Sequence, residues 1–307
     1  MRSLLIITQK VDENDDLLGF FVDWIEEFKK HIPSVKVIAL NSPKKSWIRL
    51  FLRMLWYVPQ SDAVFAHMSP IFVVIAGPWA WLWRKPVYLW YLHRSNTWRL
   101  RLAEKFVKKI FTASRASLTI MSKKIVEIGH GINANRFKTE NRKWGNRILA
   151  VGRISPIKNY ETLLQTGLPV TIVGRPVMPD DFAYFEKLKQ YKNATFAGFV
   201  PYIDMPKYYA DADIVVNCSP TGGIDKTALE AMAAGCLVLV ANRAFKPYLF
   251  DDRLLFEYGN SEDLAKKIKE LMMLPINEKR QLSVKLVESI RQFHSLDRTI
   301  QRIILML

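Results

Sequence analysis

The sequence predicts an α/β protein made of two doubly wound parallel-sheet domains. Three observations carry that expectation. Short apolar runs alternate with longer segments whose apolar residues recur every three or four positions, the rhythm of a parallel sheet covered by helices on both faces. The candidate strands are continuous apolar runs, so both of their faces are expected to be buried. A polar, charged stretch at residues 134–146 interrupts the rhythm, which then starts again.

In chain order, the first domain is expected to hold strands at 4–8, 36–40, 63–67, 87–91 and 117–121. Residues 17–31 place Leu17, Phe20, Phe21, Trp24, Ile25 and Phe28 on one face of a helix. Residues 46–57 also read as helical. Beyond the polar stretch, strands are expected at 147–151, 170–173, 194–197, 214–217 and 237–241. Helices are expected at 159–165, 181–190 and 227–234, with a short one around 208–210 and a mostly helical tail at 261–307. The domain limits follow at 1–140 and 141–285, with a last helix, 286–307, expected to pack back on the first domain. In such sheets ligands bind beyond the carboxyl ends of the strands.

Composition narrows the class. Half of the 307 residues are hydrophobic, ample for buried cores. Forty-five basic side chains against 29 acidic ones give a formal charge of +16, a field that attracts polyanions without choosing among nucleic acid, anionic lipid and phosphorylated ligands. No helix-turn-helix, RNA-recognition or zinc signature supports nucleic acid, and no such partner is expected. Cys218 and Cys236 sit in apolar stretches and read as reduced core thiols of a cytosolic protein. No cluster has metal-ligand spacing, so no metal site is expected. The opening apolar run is short and meets charge at once, which reads as a first strand instead of a signal peptide. The most apolar stretch, 71–83, contains Gly77 and Pro78 and is too short to span a bilayer. The expectation is a cytoplasmic protein, soluble or peripheral on the inner face of the membrane.

Two turns carry candidate chemistry. After the strand at 147–151, Gly152 permits a tight turn, and Arg153 and Lys158 stand just before a helix, where a diphosphate sits well. Two solvated loop cations are the plainer reading. The second turn follows the strand at 214–217 and leads through Gly222, Gly223, Asp225 and Lys226 into a helix opened by Lys226 or Thr227. The glycines allow a ligand to approach the backbone. Asp225 is placed to cap the helix. Lys226 opposes the helix dipole, which an anionic partner would offset, unless it is simply solvated. Glu230 lies one turn inside among apolar neighbours, a costly place for a carboxylate without a partner.

An ordered set of segments goes further. Gly-Arg-Ile-Ser-Pro-Ile-Lys-Asn (152–159), Ile-Val-Gly-Arg-Pro (172–176), Phe-Ala-Gly-Phe-Val (196–200), Tyr-Tyr-Ala-Asp-Ala-Asp-Ile-Val-Val-Asn-Cys-Ser-Pro (208–220) and Leu-Glu-Ala-Met-Ala-Ala-Gly (229–235) resemble glycosyltransferase family 4, the group 1 type with the GT-B fold. That fold implies two Rossmann-like domains facing across a cleft. The N-terminal half agrees more loosely, through Leu-Gly-Phe-Phe-Val-Asp-Trp (18–24), Trp-Tyr-Leu-His-Arg-Ser (90–95) and Gly-His-Gly-Ile-Asn (129–133) with Phe137.

The resemblance implies a hexosyltransferase-like enzyme. It would move a sugar from a nucleotide-diphosphate sugar to a hydroxyl of a glycan or lipid-linked acceptor, with retention and no metal or other cofactor. By that similarity Arg153 and Lys158 hold the donor diphosphate, and Glu230 accepts from the ribose hydroxyls. Gly19 brings backbone amides to the donor phosphate or the acceptor. Gly174, Gly222, Gly223 and Thr227 join the donor-binding set. The catalytic surroundings are His93, near the transferred sugar, with Asp225 and Lys226. Two departures stand out. His130 occupies a position where the family usually has Asn. The family typically carries two glutamates separated by seven residues, and Gly222 stands where the first should be. Either Asp225 replaces that carboxylate from a shifted position, or the substrate is bound differently. The alternatives are a non-catalytic or atypical nucleotide-sugar-binding protein of this fold and a basic nucleic-acid-binding protein.

The acceptor side is legible only as amphipathicity. In residues 46–57, Trp47, Leu50, Phe51, Met54 and Leu55 are expected on one face, with Lys45, Arg49 and Arg53 around the other. Residues 79–85 again combine Trp with cations. Such segments either lie on an anionic membrane surface or pack on the sheet.

Overall fold

The computed structural model describes residues 1–40, 46–139, 142–220 and 222–307. Lys44, Lys45, Glu140, Asn141 and Thr221, which belong to segments singled out above, lie outside the described residues. The chain divides into two compact units. The first is Met1–Gly131 with Leu296–Leu307, and the second is Ile132–Ser295.

The first unit runs β1 (Ser3–Thr8), α1 (Phe20–His31), β2 (Ser34–Ala39), α2 (Ser46–Tyr57), β3 (Ala63–His67), α3 (Pro70–Leu82), β4 (Val87–Trp90), α4 (Trp98–Phe106), β5 (Val107–Thr112) and β6 (Ile125–Glu127). Its six strands are parallel in the order β2-β1-β3-β4-β5-β6. β1, β3 and β4 are buried along almost their whole length, as their continuous apolar runs require. α1 buries Phe20, Phe21, Trp24, Ile25 and Phe28 of the predicted face, whereas Leu17 precedes the helix and is exposed. The Trp24 indole donates to the Gly131 carbonyl at 3.0 Å, and the Trp24 and Trp90 rings lie 4.7 Å apart.

The second unit runs β7 (Ile148–Val151), α5 (Tyr160–Leu164), β8 (Val170–Val173), α6 (Pro179–Leu188), β9 (Ala194–Gly198), α7 (Met205–Asp211), β10 (Ile214–Asn217), α8 (Lys226–Ala233), β11 (Leu237–Val240), α9 (Lys246–Leu249), α10 (Ser261–Met273) and α11 (Ile276–Ser289). Its five strands are parallel in the order β11-β10-β7-β8-β9. β7 and β10, the central pair, end at the two candidate turns. α12 (Leu296–Ile304) belongs to the first unit and lies against α1.

Three expectations are corrected. Residues 117–121 form no strand. Leu118 and Ile120 bury their side chains, but the place beside β4 is taken by β5, with β6 at the edge. Second, the units part at Gly131, not at 140, and the chain rejoins the first unit at Leu296, not at 286. The polar stretch is anchored within the second unit: Arg142 donates to the carbonyls of Tyr209, Ala212 and Ala234 near the ends of α7 and α8, where helix dipoles are negative. Asp213 accepts from the Gly145 and Arg147 amides at 2.9 and 2.8 Å. Third, the predicted apolar face of α2 is split. Leu50 and Met54 are buried, but Trp47 and Phe51 are exposed, as are Ile48, Leu52 and Trp56. The helix has more apolar residues than one stripe against the sheet can cover.

The two cysteines are free and buried, and burial pushes the Cys218 thiol up to about 12 and Cys236 to about 11. Among the described residues, no helix is long and apolar enough to cross a membrane.

Candidate functional site

The candidate site of the second unit is built at the carboxyl ends of β7 and β10. Beyond β7 the chain turns at Gly152, whose φ is +145°, and Gly174 beyond β8 has φ +142°. The two turns touch. A Cβ on Gly174 would lie 1.9 Å from the Gly152 carbonyl oxygen, so no side chain fits there. Gly152 donates to Val173 at 2.9 Å and Ile154 to Arg175 at 3.0 Å, tying the loops together. Gly174 thus lets its own turn approach the loop that holds Arg153 and Lys158.

Lys158 is fixed by charge. Its ammonium lies 2.8 Å from both carboxylate oxygens of Asp225, and its side chain is mostly buried. Asp225 also accepts from Asn217 and Ser219, each at 2.7 Å. Burial opposes ionisation of this carboxyl, but the Lys158 charge and the three hydrogen-bond donors outweigh it and hold it below the usual carboxylate range. The expected helix cap is therefore corrected: Asp225 precedes α8, but its side chain makes no cap hydrogen bond and turns to Lys158. Arg153 is held more loosely, 3.6 Å from Asp181, whose carboxylate accepts from the Val177 and Met178 amides.

Glu230 sits one turn into α8 and is 2 % exposed. Its partner is Lys226, and Tyr209 donates to its other oxygen at 3.1 Å. Burial, with the Glu230 charge adding to it, pushes the Tyr209 hydroxyl well above its ordinary value. Lys226 also lies over the Tyr202 ring, 4.4 Å from its centre. A lysine placed N-terminal to its glutamate is the less favourable order in a helix, so helix stability does not account for the pair. Phe137 packs edge-on against Tyr202 and Tyr209, at 6.0 and 5.6 Å, and backs the two rings that face Lys226 and Glu230.

Gly222 has φ +136°, and Asn242 donates to the Gly223 carbonyl at 3.2 Å, which closes the loop before α8. Thr227 is partly buried in the first turn of α8. The structure thus gathers Arg153, Lys158, Asp225, Lys226, Thr227 and Glu230 on two neighbouring strand ends. Asn217, Ser219, Tyr202, Tyr209 and Asp181 complete the set and were not singled out. Asn217, Ser219 and Tyr209 lie inside the matched segments, and for Asn217 and Ser219 the position at the end of β10 was the available signal.

The other expected residues belong to the first unit. His93 is exposed in the loop after β4, its ring 5.5 Å from that of Tyr91. Gly19 precedes α1, its N–H donating to the Asp15 carbonyl at 3.0 Å and its φ of −54° ordinary helix. His130 is buried beside Trp90. His67 accompanies it in that core, stacked on Phe21 at 3.6 Å, and burial, with His130 adding to it, pushes it down to about 3. Among the described residues, no group of three or more His, Cys, Asp or Glu side chains is arranged to hold a metal ion.

The chain resembles known proteins in sequence and in fold. Residues 145–273 match the family model described as glycosyl transferases group 1. The chain is 29% identical over 142 residues to an uncharacterized 41.2 kDa protein in the cps region of Klebsiella pneumoniae; the match covers 44% of this chain and 38% of that protein. Sucrose-phosphate synthase from Thermosynechococcus elongatus superposes with a TM-score of 0.75 at 15% identity, over 100% of this chain and 98% of that one. AviGT4, a glycosyltransferase involved in avilamycin A biosynthesis, superposes with a TM-score of 0.71 at 13% identity, over 100% and 97%. The fold is GT-B. The matched stretch, 145–273, contains both strand-end turns of the candidate site.

Proposed function

We propose that this chain is a glycosyltransferase that moves a sugar from a nucleotide-diphosphate sugar to a hydroxyl of a glycan or lipid-linked acceptor. The observation that carries the reading is the pairing at the ends of β7 and β10. Lys158 is held at the turn by Asp225, and Glu230 is buried at the start of α8 behind Lys226. Lys158 and Arg153 are the groups for the diphosphate, stabilising its charge as it leaves. Glu230 already accepts from Lys226 and Tyr209, and a carboxylate has lone pairs left for two ribose hydroxyls. Because Glu230 is almost fully covered, Lys226 swings away when the ribose binds, and its freed ammonium turns to the phosphates.

In the transfer the bond between the anomeric carbon and the donor diphosphate breaks, and the acceptor oxygen bonds to that carbon from the same face. The acceptor proton passes to the departing phosphate. Asp225 acts by positioning Lys158. The three cations take the role a metal would otherwise play, and His93 contributes from the loop after β4.

The test is release of free nucleoside diphosphate from UDP-, GDP- or ADP-sugars. The reading expects release that depends on a hydroxyl acceptor, persists in EDTA and yields a retained anomeric configuration by NMR. Gly222, in place of the family's first glutamate, favours a second reading, donor binding without transfer. Tight nucleotide-sugar binding with no turnover over a panel of glycan and lipid-linked acceptors selects it.

A further inference from the structure

The end of the first unit's sheet opposite His93 carries a second, different concentration of charge. A cavity of about 750 Å³ opens at the first residues of β4 and β5, Val87 and Val107. Arg84, Lys85, Lys105 and Lys108 line it, and no carboxylate is among the described lining residues. Arg84 stands in the turn after α3 with φ +52°, Lys105 closes α4, and Lys108 follows in β5. Asp62, whose charge interacts with that of Lys85, is already held by the Arg2 and Ser3 amides at 2.7 and 2.9 Å.

Apolar side chains crowd the same rim. Trp81 and Leu82 belong to the cavity wall and are 76% and 61% exposed, and Trp83 is 48% exposed. α2 ends at this edge too, because it leads into the start of β3, and the Trp79 indole donates to the Leu55 carbonyl at 3.0 Å. That contact puts the exposed Leu52 and Trp56 of α2 beside the end of α3. Exposed tryptophans around cations with no carboxylate among the described lining residues are costly in water and suited to the boundary between headgroups and acyl chains.

We propose that this edge of the first unit docks on an anionic phospholipid bilayer, with the basic cavity seating lipid phosphates and Trp56, Trp81, Leu82 and Trp83 entering the interface. Charge complementarity selects this occupant. Four cations without a carboxylate among the described lining residues match a surface of negative headgroups, and the +16 charge of the chain strengthens the attraction. The inference is independent of the transfer reaction, because it uses none of the residues assigned to it.

The experiment is co-sedimentation of the full chain with vesicles of phosphatidylglycerol and phosphatidylcholine, against vesicles of phosphatidylcholine alone. Binding is expected on the mixed vesicles only, weakening steeply with salt. The double variant K105E/K108E, at two exposed positions, is expected to lower partitioning at least about tenfold. Trp81→Ser is expected to weaken it severalfold with no change in salt dependence. Circular dichroism and melting temperature confirm that both variants fold. Equal binding to neutral vesicles, no binding to either, or full binding by folded K105E/K108E each overturns the proposal. Release by millimolar inorganic phosphate at constant ionic strength also overturns it, since the site would then be one for a soluble anion.

Discussion

The two concentrations of cations are organised in opposite ways. At the strand carboxyl ends of the second unit, Arg153, Lys158 and Lys226 each face a carboxylate, Asp181, Asp225 and Glu230. At the strand amino ends of the first unit, Arg84, Lys85, Lys105 and Lys108 gather with no carboxylate among the described lining residues. Paired charges are held in place and partly dehydrated, so they present a fixed pattern to a ligand of defined shape. Charges with no carboxylate beside them in the cavity wall respond to field, which suits a surface more than a molecule. Net charge alone cannot tell these apart; the partners do.

Substitutions at the paired site sharpen this contrast, and the largest effect is expected for Lys158→Ala. It removes a diphosphate contact and leaves Asp225 without its counter-charge. Nucleoside diphosphate affinity should fall about 100-fold, in line with charged hydrogen bonds of roughly 1.5–3 kcal/mol. Calorimetric titration measures it, and the melting temperature should fall as well. Unchanged affinity would make Lys158 only the counter-ion of Asp225.

Glu230→Ala should cost about tenfold in nucleoside diphosphate affinity while leaving inorganic diphosphate binding unchanged, because the lost contact is to the ribose. Equal losses for both ligands would reassign Glu230 to holding Lys226.

Asp225 supplies a pH dependence. Its carboxyl is held below its unfolded value of 3.8, so its stabilisation is present above about pH 4 and lost as pH falls further. Asp225→Asn should therefore be less stable than the parent at pH 7, by roughly 1–3 kcal/mol. The gap should close as the pH is lowered past that range. A gap that persists at pH 2 would assign the loss to packing instead of charge.

The smallest change in stability is expected at His93. It is exposed beyond β4, so His93→Ala should leave the unfolding free energy within about 0.5 kcal/mol while lowering the transfer rate. Unaltered turnover would take it out of the reaction.

The fold was legible because its strands are buried on both faces and announce themselves as continuous apolar runs. Residues 4–8, 63–67 and 214–217 needed no further context. Strand β5 was not legible, since Lys108 and Lys109 interrupt its run and only the neighbouring β4 makes it a strand. The boundary between the units was misread for a related reason. Composition marks 134–146 as polar, but Arg142 satisfies carbonyls at the ends of α7 and α8, which no local pattern reveals. At the site, the charged residues were named from their spacing and the family likeness. Their partners were not, because the Lys158–Asp225 contact joins residues 67 apart and Tyr209 reaches Glu230 across 21. α2 shows the same limit: periodicity gave a helix, and only packing decided which of its many apolar residues are covered.

If the second unit's strand-end turns are a nucleotide-diphosphate site, a nucleotide should stabilise the folded chain. Thermal unfolding with saturating UDP, GDP or ADP, for the parent chain and for Lys158→Ala, tests it most directly. A ligand at about 100 times its dissociation constant adds roughly 2.7 kcal/mol to the folded state. A higher melting temperature is expected with at least one of the three nucleotides, and a much smaller rise in Lys158→Ala. No rise with any of them, or an equal rise in both proteins, contradicts it.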